Sequence, residues 1–397
     1  MTLSFVSKNE GVLAAVPIMA TVFIAFVIIG MALPVLPLQV HNELGFNTFV
    51  VGIVAGCQFV ASLISRLWAG KIADTKGAKY AVSLGLYLAI AGGVFYTFSC
   101  FITGTPIVSV SLLLVGRTLL GGAESLIITG SILWGLQLVP HNQSAKVIAW
   151  VGMAMFAALA VGAPIGSLIF EVWSFLGIAL ATVLMTVISL FLIQRVRTFI
   201  PKVSDKKSNI SMVFNKVLLP GMGFAMSGIT FGAITTFLTL LFSVRHWDYG
   251  ALAFAVFAIM LIVTRIIFGH LPDKFGGARV SFYCLILQAI GMLLIGTASS
   301  DWIAIVGAAV SGTGFSLVFP GLGLEAIKRT PVENRGLAMG VYNAFLDVTL
   351  GIGSPALGYL AGKFGIESVF VLSAVTAILA LPISFYLHRM RFAETGR

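Results

Sequence analysis

Long apolar runs separated by short polar stretches dominate the chain. Each run reaches about 20 residues or more, the length that a helix needs to cross a bilayer. The runs exceed the roughly 10 residues of a barrel strand, and they do not alternate between apolar and polar positions. They predict an all-α membrane protein with twelve transmembrane helices near residues 12–38, 48–69, 80–101, 107–138, 145–170, 173–194, 214–243, 249–269, 280–299, 302–326, 337–362 and 366–387.

The two halves of the chain repeat each other in the same order. Two sets of residues recur, each at a constant spacing: Arg66/Arg265, Gly70/Gly269, Asp74/Asp273 and Gly77/Gly276, then Gly121/Gly312, Pro140/Pro331, Gly162/Gly353 and Pro164/Pro355. The longest polar stretch lies between the halves. The pattern predicts a six-helix bundle at 1–194, a cytoplasmic linker at 195–213 and a second bundle at 214–397. Parallel repeats of this kind are related by an axis along the membrane normal.

Composition and charge agree with a membrane protein. Of the 397 residues, 59% are hydrophobic and 10% are charged, whereas soluble domains carry about 25% charged residues. Most of the 24 Lys and Arg residues lie in the tails and even-numbered loops, and only Arg245 and Lys363 lie in odd-numbered loops. This asymmetry predicts that both termini are cytoplasmic. It also explains the net charge of +10 without a nucleic-acid partner.

Motifs for enzymatic chemistry are absent from the sequence. It has no phosphate-binding loop and no His-Glu-x2-His zinc motif. Its three cysteines, Cys57, Cys100 and Cys284, have unrelated spacings, which fit neither a disulfide framework nor a metal site. We therefore expect no enzyme activity, no cofactor and no metal.

Ionisable residues inside the predicted spans are the main candidates for function, because they are costly in a bilayer. Glu124 lies at mid-depth in span four, with Arg117 two turns earlier, and Asp347 lies deep in span eleven. Each carboxylate should face a cavity or a partner. A carboxylate whose contact with a cation changes between conformations can take up and release protons. Fixed helix packing is the alternative, and it stays open above all for Asp347. Glu325, three residues before Lys328, is expected to reach the membrane interface.

Three motifs give the chain its resemblance to a known family. Gly70-Lys-Ile-Ala-Asp74-Thr-Lys-Gly77-Ala-Lys79 resembles the loop 2–3 signature of the major facilitator superfamily, with Ala78 replacing a basic residue. Arg117-Thr-Leu-Leu-Gly121 is similar to a signature of proton-coupled members. Gly162-Ala-Pro164-Ile-Gly166 resembles a degenerate antiporter motif. The stretches 116–125, 314–320 and 345–347 resemble a bacterial group of proton-coupled sugar-, drug- or metallophore-exporter-like proteins.

The resemblance implies a monomeric secondary transporter of the bacterial inner membrane. Its two bundles would rock around a central site, exchanging protons for a small organic solute that is exported. Proton-coupled uptake is an alternative in the same class. A non-transporting scaffold or receptor is the alternative from another class.

The resemblance also implies roles for particular residues. A conformational latch, in which Asp74 caps a helix end and the lysines pair with acids, would comprise Arg66, Gly70, Asp74, Gly77, Lys79, Gly269, Asp273 and Arg279. Turn formation and positive-inside charge are the alternative. Candidate cavity-lining residues are Gln58, Trp134, Thr235, Thr236 and Asn343, although such residues more often bond between helices. Pro34 and Pro37 are expected to break span one near its outer end, and Pro320 to break span ten, as hinges for alternating access. Further candidate hinge or packing residues are Gly162, Pro164, Gly353 and Pro355.

Overall fold

The computed structural model describes residues 8–102, 104–138, 144–194, 196, 210–331 and 334–395. These residues form helices and no strand, which confirms the all-α fold. The helices are α1 Lys8–Ala32, α2 Leu36–Leu38, a π-helix Gln39–Glu43, α3 Thr48–Lys76, α4 Ala78–Phe101, α5 Pro106–Leu138, α6 Ser144–Gln194, α7 Ile210–Val244, α8 Gly250–Phe268, α9 Leu271–Phe275, α10 Gly277–Gly296, α11 Asp301–Lys328, α12 Arg335–Phe364 and α13 Glu367–Thr395.

Eleven helices of the described part of the chain are long and apolar enough to cross a membrane. One of them, α6, has 51 residues and corresponds to two predicted spans. Ser174 interrupts it with φ 51° and ψ −158°, which marks the kink between those spans. The twelve predicted crossings are therefore accounted for. Of the predicted linker 195–213, residues 195 and 197–209 lie outside the described residues.

Prolines break the first predicted span but not the tenth. Helix α1 ends at Ala32, and Pro34 lies in the turn that follows. Pro37 lies in the first turn of α2, where a missing N–H removes no helical hydrogen bond. Pro320, in contrast, lies inside the continuous helix α11, so its predicted break is wrong. Membrane helices tolerate interior proline where neighbouring groups satisfy the freed carbonyl.

Contacts along the chain divide it into two compact units. The first comprises Met1–Ala32 and Ala61–Asp205, and the second comprises Leu33–Val60 and Lys206–Arg397. Helix α3 therefore contributes its second half to the first unit and its first half to the second. The predicted domain boundaries at 194 and 214 stay a prediction.

Glycine brings the backbones of α1 and α6 together within the first unit. A methyl group at Gly162 would lie 2.5 Å from the Val27 carbonyl oxygen, and one at Gly30 would lie 2.8 Å from the Leu159 carbonyl oxygen. Any larger side chain at these two positions would force the helices apart. The hinge or packing role of Gly162 stays a prediction. Pro164 lies in the same stretch of α6, inside the helix.

In the second unit, the first half of α3 packs closely on α12. A methyl group at Gly56 would lie 2.6 Å from the Gly351 carbonyl oxygen, and one at Gly351 would lie 2.7 Å from Val60 Cγ2. The Thr48 hydroxyl donates to the Gly358 carbonyl at 2.8 Å. A methyl group at Gly353 would meet only Thr349 Cγ2, at 4.0 Å. Gly353 is therefore not a close-packing residue, because it lies on a more open face of α12 than Gly351 does.

The repeated loop signature places glycine at equivalent turns in the two halves. Gly77, between α3 and α4, has φ 100° and ψ 153°. Gly276, between α9 and α10, has φ 97° and ψ 137°. Residues other than glycine are strained in this backbone region. The sequence repeat is thus a repeat of backbone geometry.

We expect Gly77→Ala to destabilise the protein by about 1–3 kcal/mol, because alanine rarely adopts this backbone conformation. Gly70→Ala is the matched control in the same motif. Gly70 lies inside α3, and a methyl group there would meet nothing within 4 Å. Thermal unfolding in detergent would measure both variants. A Gly77→Ala midpoint equal to that of Gly70→Ala would contradict the requirement for glycine at this turn.

Candidate functional site

A small cavity in the first unit surrounds Glu124. Four helices contribute to its wall: α1, α4, α5 and α6. Hydrocarbon side chains form most of this wall, and only three polar residues reach it. The lining residues are Ala25, Ile28, Ile29, Leu86, Ala89, Leu120, Ala123, Glu124, Ile127, Thr186 and Ser189.

Small residues in α4 position Glu124 by letting α5 approach. A methyl group at Gly85 would lie 3.0 Å from the Ala123 carbonyl oxygen, and one at Gly92 would lie 2.9 Å from the Gly116 carbonyl oxygen. The backbone of α5 is therefore in contact with α4 on both sides of the site. Glu124 itself is 5% exposed and lines the cavity together with residues of α1 and α6.

Polar groups from α6 complete the site. Ser189 is fully buried. Its hydroxyl has no hydrogen-bond partner among the described residues. The Thr186 hydroxyl already donates to the Thr182 carbonyl at 2.6 Å. The Ser189 hydroxyl is therefore available to a water molecule or to a group that enters the cavity beside Glu124.

The cavity is small. Its volume is about 10 Å³, which is roughly the room that one water molecule needs. Sites for small organic molecules usually enclose about 300–1,000 Å³. In this conformation the cavity around Glu124 can hold a proton and a water molecule but no organic solute.

The other two predicted coupling residues lie elsewhere. Arg117 is fully buried in α5 but does not line the cavity. It precedes Glu124 by two helical turns, or about 10 Å along the helix. Asp347 is 4% exposed and belongs to α12 of the second unit. The burial of Asp347 agrees with the expectation that its carboxylate does not face lipid. The roles of Arg117 and Asp347 in coupling stay predictions.

The predicted substrate-contacting residues are buried or partly buried, but none of them lines the cavity around Glu124. Gln58, Trp134, Thr235 and Thr236 are at most 4% exposed. The Thr235 hydroxyl donates to the Phe231 carbonyl of its own helix at 2.9 Å. Asn343 is half-buried in α12. Their contact with substrate therefore stays a prediction.

Lys79 binds two backbone carbonyls at the end of α6. Its ammonium donates to the carbonyl oxygens of Gln194, at 2.8 Å, and Val196, at 2.9 Å. It also lies 6.0 Å from the centre of the Trp134 ring. A cation is favourable at the C-terminal end of a helix such as α6. This contact tethers α4 to the end of α6. The pairing of Lys79 with an acid in the latch stays a prediction.

The remaining latch candidates are spread over the loop signatures of the two units. Asp74, Asp273 and Arg279 are exposed. Arg265, the repeat equivalent of Arg66, donates to the Ser316 carbonyl at 2.7 Å. A methyl group at Gly269 would contact the Arg265 carbonyl, so glycine suits the end of α8. The latch itself stays a prediction.

Glu325 differs from its predicted position at the interface. It is 4% exposed, and its carboxylate accepts a hydrogen bond of 3.3 Å from the Ala278 N–H in the first turn of α10. A negative charge is favourable at a helix N-terminus. Glu325 therefore stabilises the start of α10 instead of extending to the membrane surface.

Two site residues, Thr186 and Ser189, were not identified from the sequence. With Thr182 they form a polar stripe at helical spacing inside an apolar span, and this spacing was a usable signal. Gln288 of α10 forms hydrogen bonds between helices, as neutral polar residues in transmembrane spans commonly do. Its amide bonds to Ser227 and Thr230 of α7.

Comparisons with known proteins identify the family. The model of the Major Facilitator Superfamily matches residues 18–324 and 248–396. An uncharacterized MFS-type transporter of Burkholderia mallei (strain SAVP1) is 38% identical over 389 residues, covering 97% of this chain and 94% of the relative. A similarly described transporter of Pseudomonas aeruginosa (strain UCBPP-PA14) is 37% identical over 383 residues, covering 96% of this chain and 95% of the relative.

Among solved structures, a D-xylose-proton symporter has the same fold, with a TM-score of 0.75 and 12% identity over 94% of this chain and 97% of that chain. Together with the family match, this likeness confirms the predicted fold. The chain belongs to the Major Facilitator Superfamily and is a multi-pass membrane transporter.

Proposed function

We propose that this transporter couples the export of a small organic solute to protons, and that Glu124 carries the proton. The supporting observation is the burial of Glu124 in an apolar cavity with room for about one water molecule. Ionisable side chains inside membrane-spanning helices are rare and often mark ion or proton pathways. A carboxyl group at this depth can alternate between its protonated and its charged form during a transport cycle.

Alternating access supplies the change that such a carboxylate needs. Apolar walls favour the neutral form, whereas water or a cation favours the charged form. If the cavity closes in one conformation and hydrates in another, the proton occupancy of Glu124 differs between them. A solute that binds better to one of these forms is then coupled to protons through the shared equilibrium.

Export is the preferred direction because the stretch 162–166 resembles an antiporter motif and packs α6 on α1. Proton-coupled uptake is the second candidate, and the shared fold with a D-xylose-proton symporter favours it. A scaffold or receptor that moves no solute is the third. The bacterial relatives and the distribution of Lys and Arg support an inner-membrane protein with both termini cytoplasmic. We expect it to work as a monomer without a cofactor or metal.

Internal pH in proteoliposomes tests the proposal. The interior is made acidic, and candidate sugars, metallophore-like amino acids and lipophilic drugs are added outside. A solute that makes the interior more alkaline establishes antiport and identifies the cargo class. A pH change in the opposite direction would support uptake by symport. A protein that moves neither solute nor protons under any gradient would be a scaffold or receptor.

The latch gives a prediction about turnover. We expect Asp74→Asn to slow transport roughly two- to fivefold, the effect of losing one charge at a helix end, while solute affinity stays unchanged. Asp248→Asn is a matched control, since Asp248 is another exposed acid outside the loop signature. Initial transport rates and equilibrium binding would be measured for both variants. Equal rates for the two would argue against a latch at Asp74.

A further inference from the structure

A second cavity in the first unit runs between α4 and the C-terminal part of α6. It lies apart from the Glu124 cavity and shares no residue with it. Its volume is about 180 Å³. This is more than one water molecule needs and less than the volume of most sites for organic solutes. Its lining residues are Lys79, Ser83, Tyr87, Val187, Leu190, Phe191, Ile193 and Gln194. We call it the α4/α6 groove.

The groove is polar at one end and apolar at the other. On α4, Lys79 is followed by Ser83 and then Tyr87, which lies about 12 Å further along the helix. On α6, the polar Gln194 ends the helix, and Leu190 and Val187 precede it. The two helices therefore place their polar side chains at the same end, where α4 begins and α6 ends. This gradient matches a ligand with a polar head and a hydrocarbon tail.

Exposed apolar side chains border the groove. Tyr87 is 60% exposed and Phe191 is 65% exposed, although both are large and mostly apolar. In a membrane transporter, such surfaces are covered by lipid. The groove is therefore open to the bilayer along its apolar part, and a lipid can enter it from the side.

The polar end offers hydrogen-bond donors and positive charge. The Lys79 ammonium has three N–H groups, and its bonds to the Gln194 and Val196 carbonyls use two of them. The Ser83 hydroxyl and the exposed Gln194 side-chain amide add further donors. Lys76, the last residue of α3, lies 5.1 Å from the centre of the Tyr80 ring. This arrangement is complementary to a phosphate diester.

We propose that the α4/α6 groove binds an anionic phospholipid of the inner leaflet, with the phosphate at Lys79 and Ser83 and an acyl chain along Val187 and Leu190. The leaflet assignment rests on the proposed topology, which places the beginning of α4 on the cytoplasmic side. Basic pockets between transmembrane helices on this side are known to bind acidic head groups. The bound lipid would hold α4 against the end of α6, at the contact that Lys79 makes.

The test measures lipid binding to the full-length protein in detergent by native mass spectrometry. Phosphatidylglycerol and phosphatidylcholine with identical acyl chains are titrated separately. We expect tighter binding of phosphatidylglycerol, and Lys79→Gln should weaken it about fivefold, since one Lys near acidic lipid contributes about 1 kcal/mol. Lys71→Gln is the matched control. It removes the same charge from the same loop signature, but Lys71 does not line the groove.

Two further arms keep the test decisive. Ser83→Phe fills the polar end without changing any charge, and it should weaken phosphatidylglycerol binding even if Lys79→Gln proves unstable. Glycerol phosphate, which has no acyl chain, should not compete. Equal loss in Lys79→Gln and Lys71→Gln, unchanged binding in Ser83→Phe, or full competition by glycerol phosphate would each overturn the proposal. The assay involves no transport, so its outcome is independent of the proposed function.

Discussion

Glu124→Gln is expected to abolish proton movement while the protein still folds and binds its solute. Glutamine has nearly the same size and keeps hydrogen-bonding groups in the cavity, but it cannot carry a proton in exchange. In the apolar cavity it resembles the protonated acid. The variant should therefore stay in one protonation state throughout the cycle, and solute binding should no longer depend on pH.

Proton flux and solute binding in proteoliposomes would measure this effect. Glu325→Gln is the matched control, because Glu325 is also a buried carboxylate, and glutamine can still accept the hydrogen bond from the Ala278 N–H. We expect flux at the level of empty liposomes for Glu124→Gln and clear flux for Glu325→Gln. Normal coupling in Glu124→Gln would show that Glu124 does not carry the coupled proton and that its role is in packing.

Gly351→Ala is expected to block the transport cycle at the contact between α3 and α12. The added methyl group would lie 2.7 Å from Val60 Cγ2 and 3.1 Å from the Val60 nitrogen. Overpacking of this kind costs about 1–3 kcal/mol, which would shift a two-state equilibrium roughly 5- to 150-fold. If the first half of α3 leaves α12 during the cycle, the state in which they touch becomes rare.

Cys57 reports on this contact, since it follows Gly56 on the same half of α3. Its alkylation by a maleimide would be followed with Cys100 and Cys284 replaced by serine. We expect Gly351→Ala to speed alkylation and to lower the transport rate. Gly353→Ala, two residues further along the same helix, should do neither, because the position is open. Identical behaviour of the two variants would mean that this contact does not limit the cycle.

Features that depend on local chemistry were predictable from the sequence. The length of each apolar run indicated the transmembrane helices, including the pair that Ser174 separates. Pro34 marked the break after α1. The Gly77 and Gly276 repeat marked two turns with the same backbone conformation. Each of these follows from bilayer thickness or from backbone preferences of single residues.

The direction in which each helix faces was not predictable in the same way. Most spans are apolar on all sides of the helix, so hydrophobic periodicity does not distinguish a lipid-facing side from a buried one. The sequence indicated Glu124 by its depth but not Ser189, which lines the same cavity from α6. It also did not indicate the contacts that Lys79 and Glu325 make. Both side chains bond to backbone groups at helix ends, and only the packing of the helices brings those ends within reach.

Proton-coupled transport is tested most directly by the steady-state accumulation of the cargo in proteoliposomes. The cargo is supplied at equal concentration on both sides, and the pH difference is varied. The membrane potential is held at zero, because exchange of a proton for a neutral solute moves charge. One pH unit corresponds to about 1.4 kcal/mol, so one-for-one exchange of a neutral solute then predicts about tenfold accumulation in the acidic interior per pH unit. Glu124→Gln should show none. An accumulation ratio of one at every pH difference, with the solute still crossing, would contradict proton coupling.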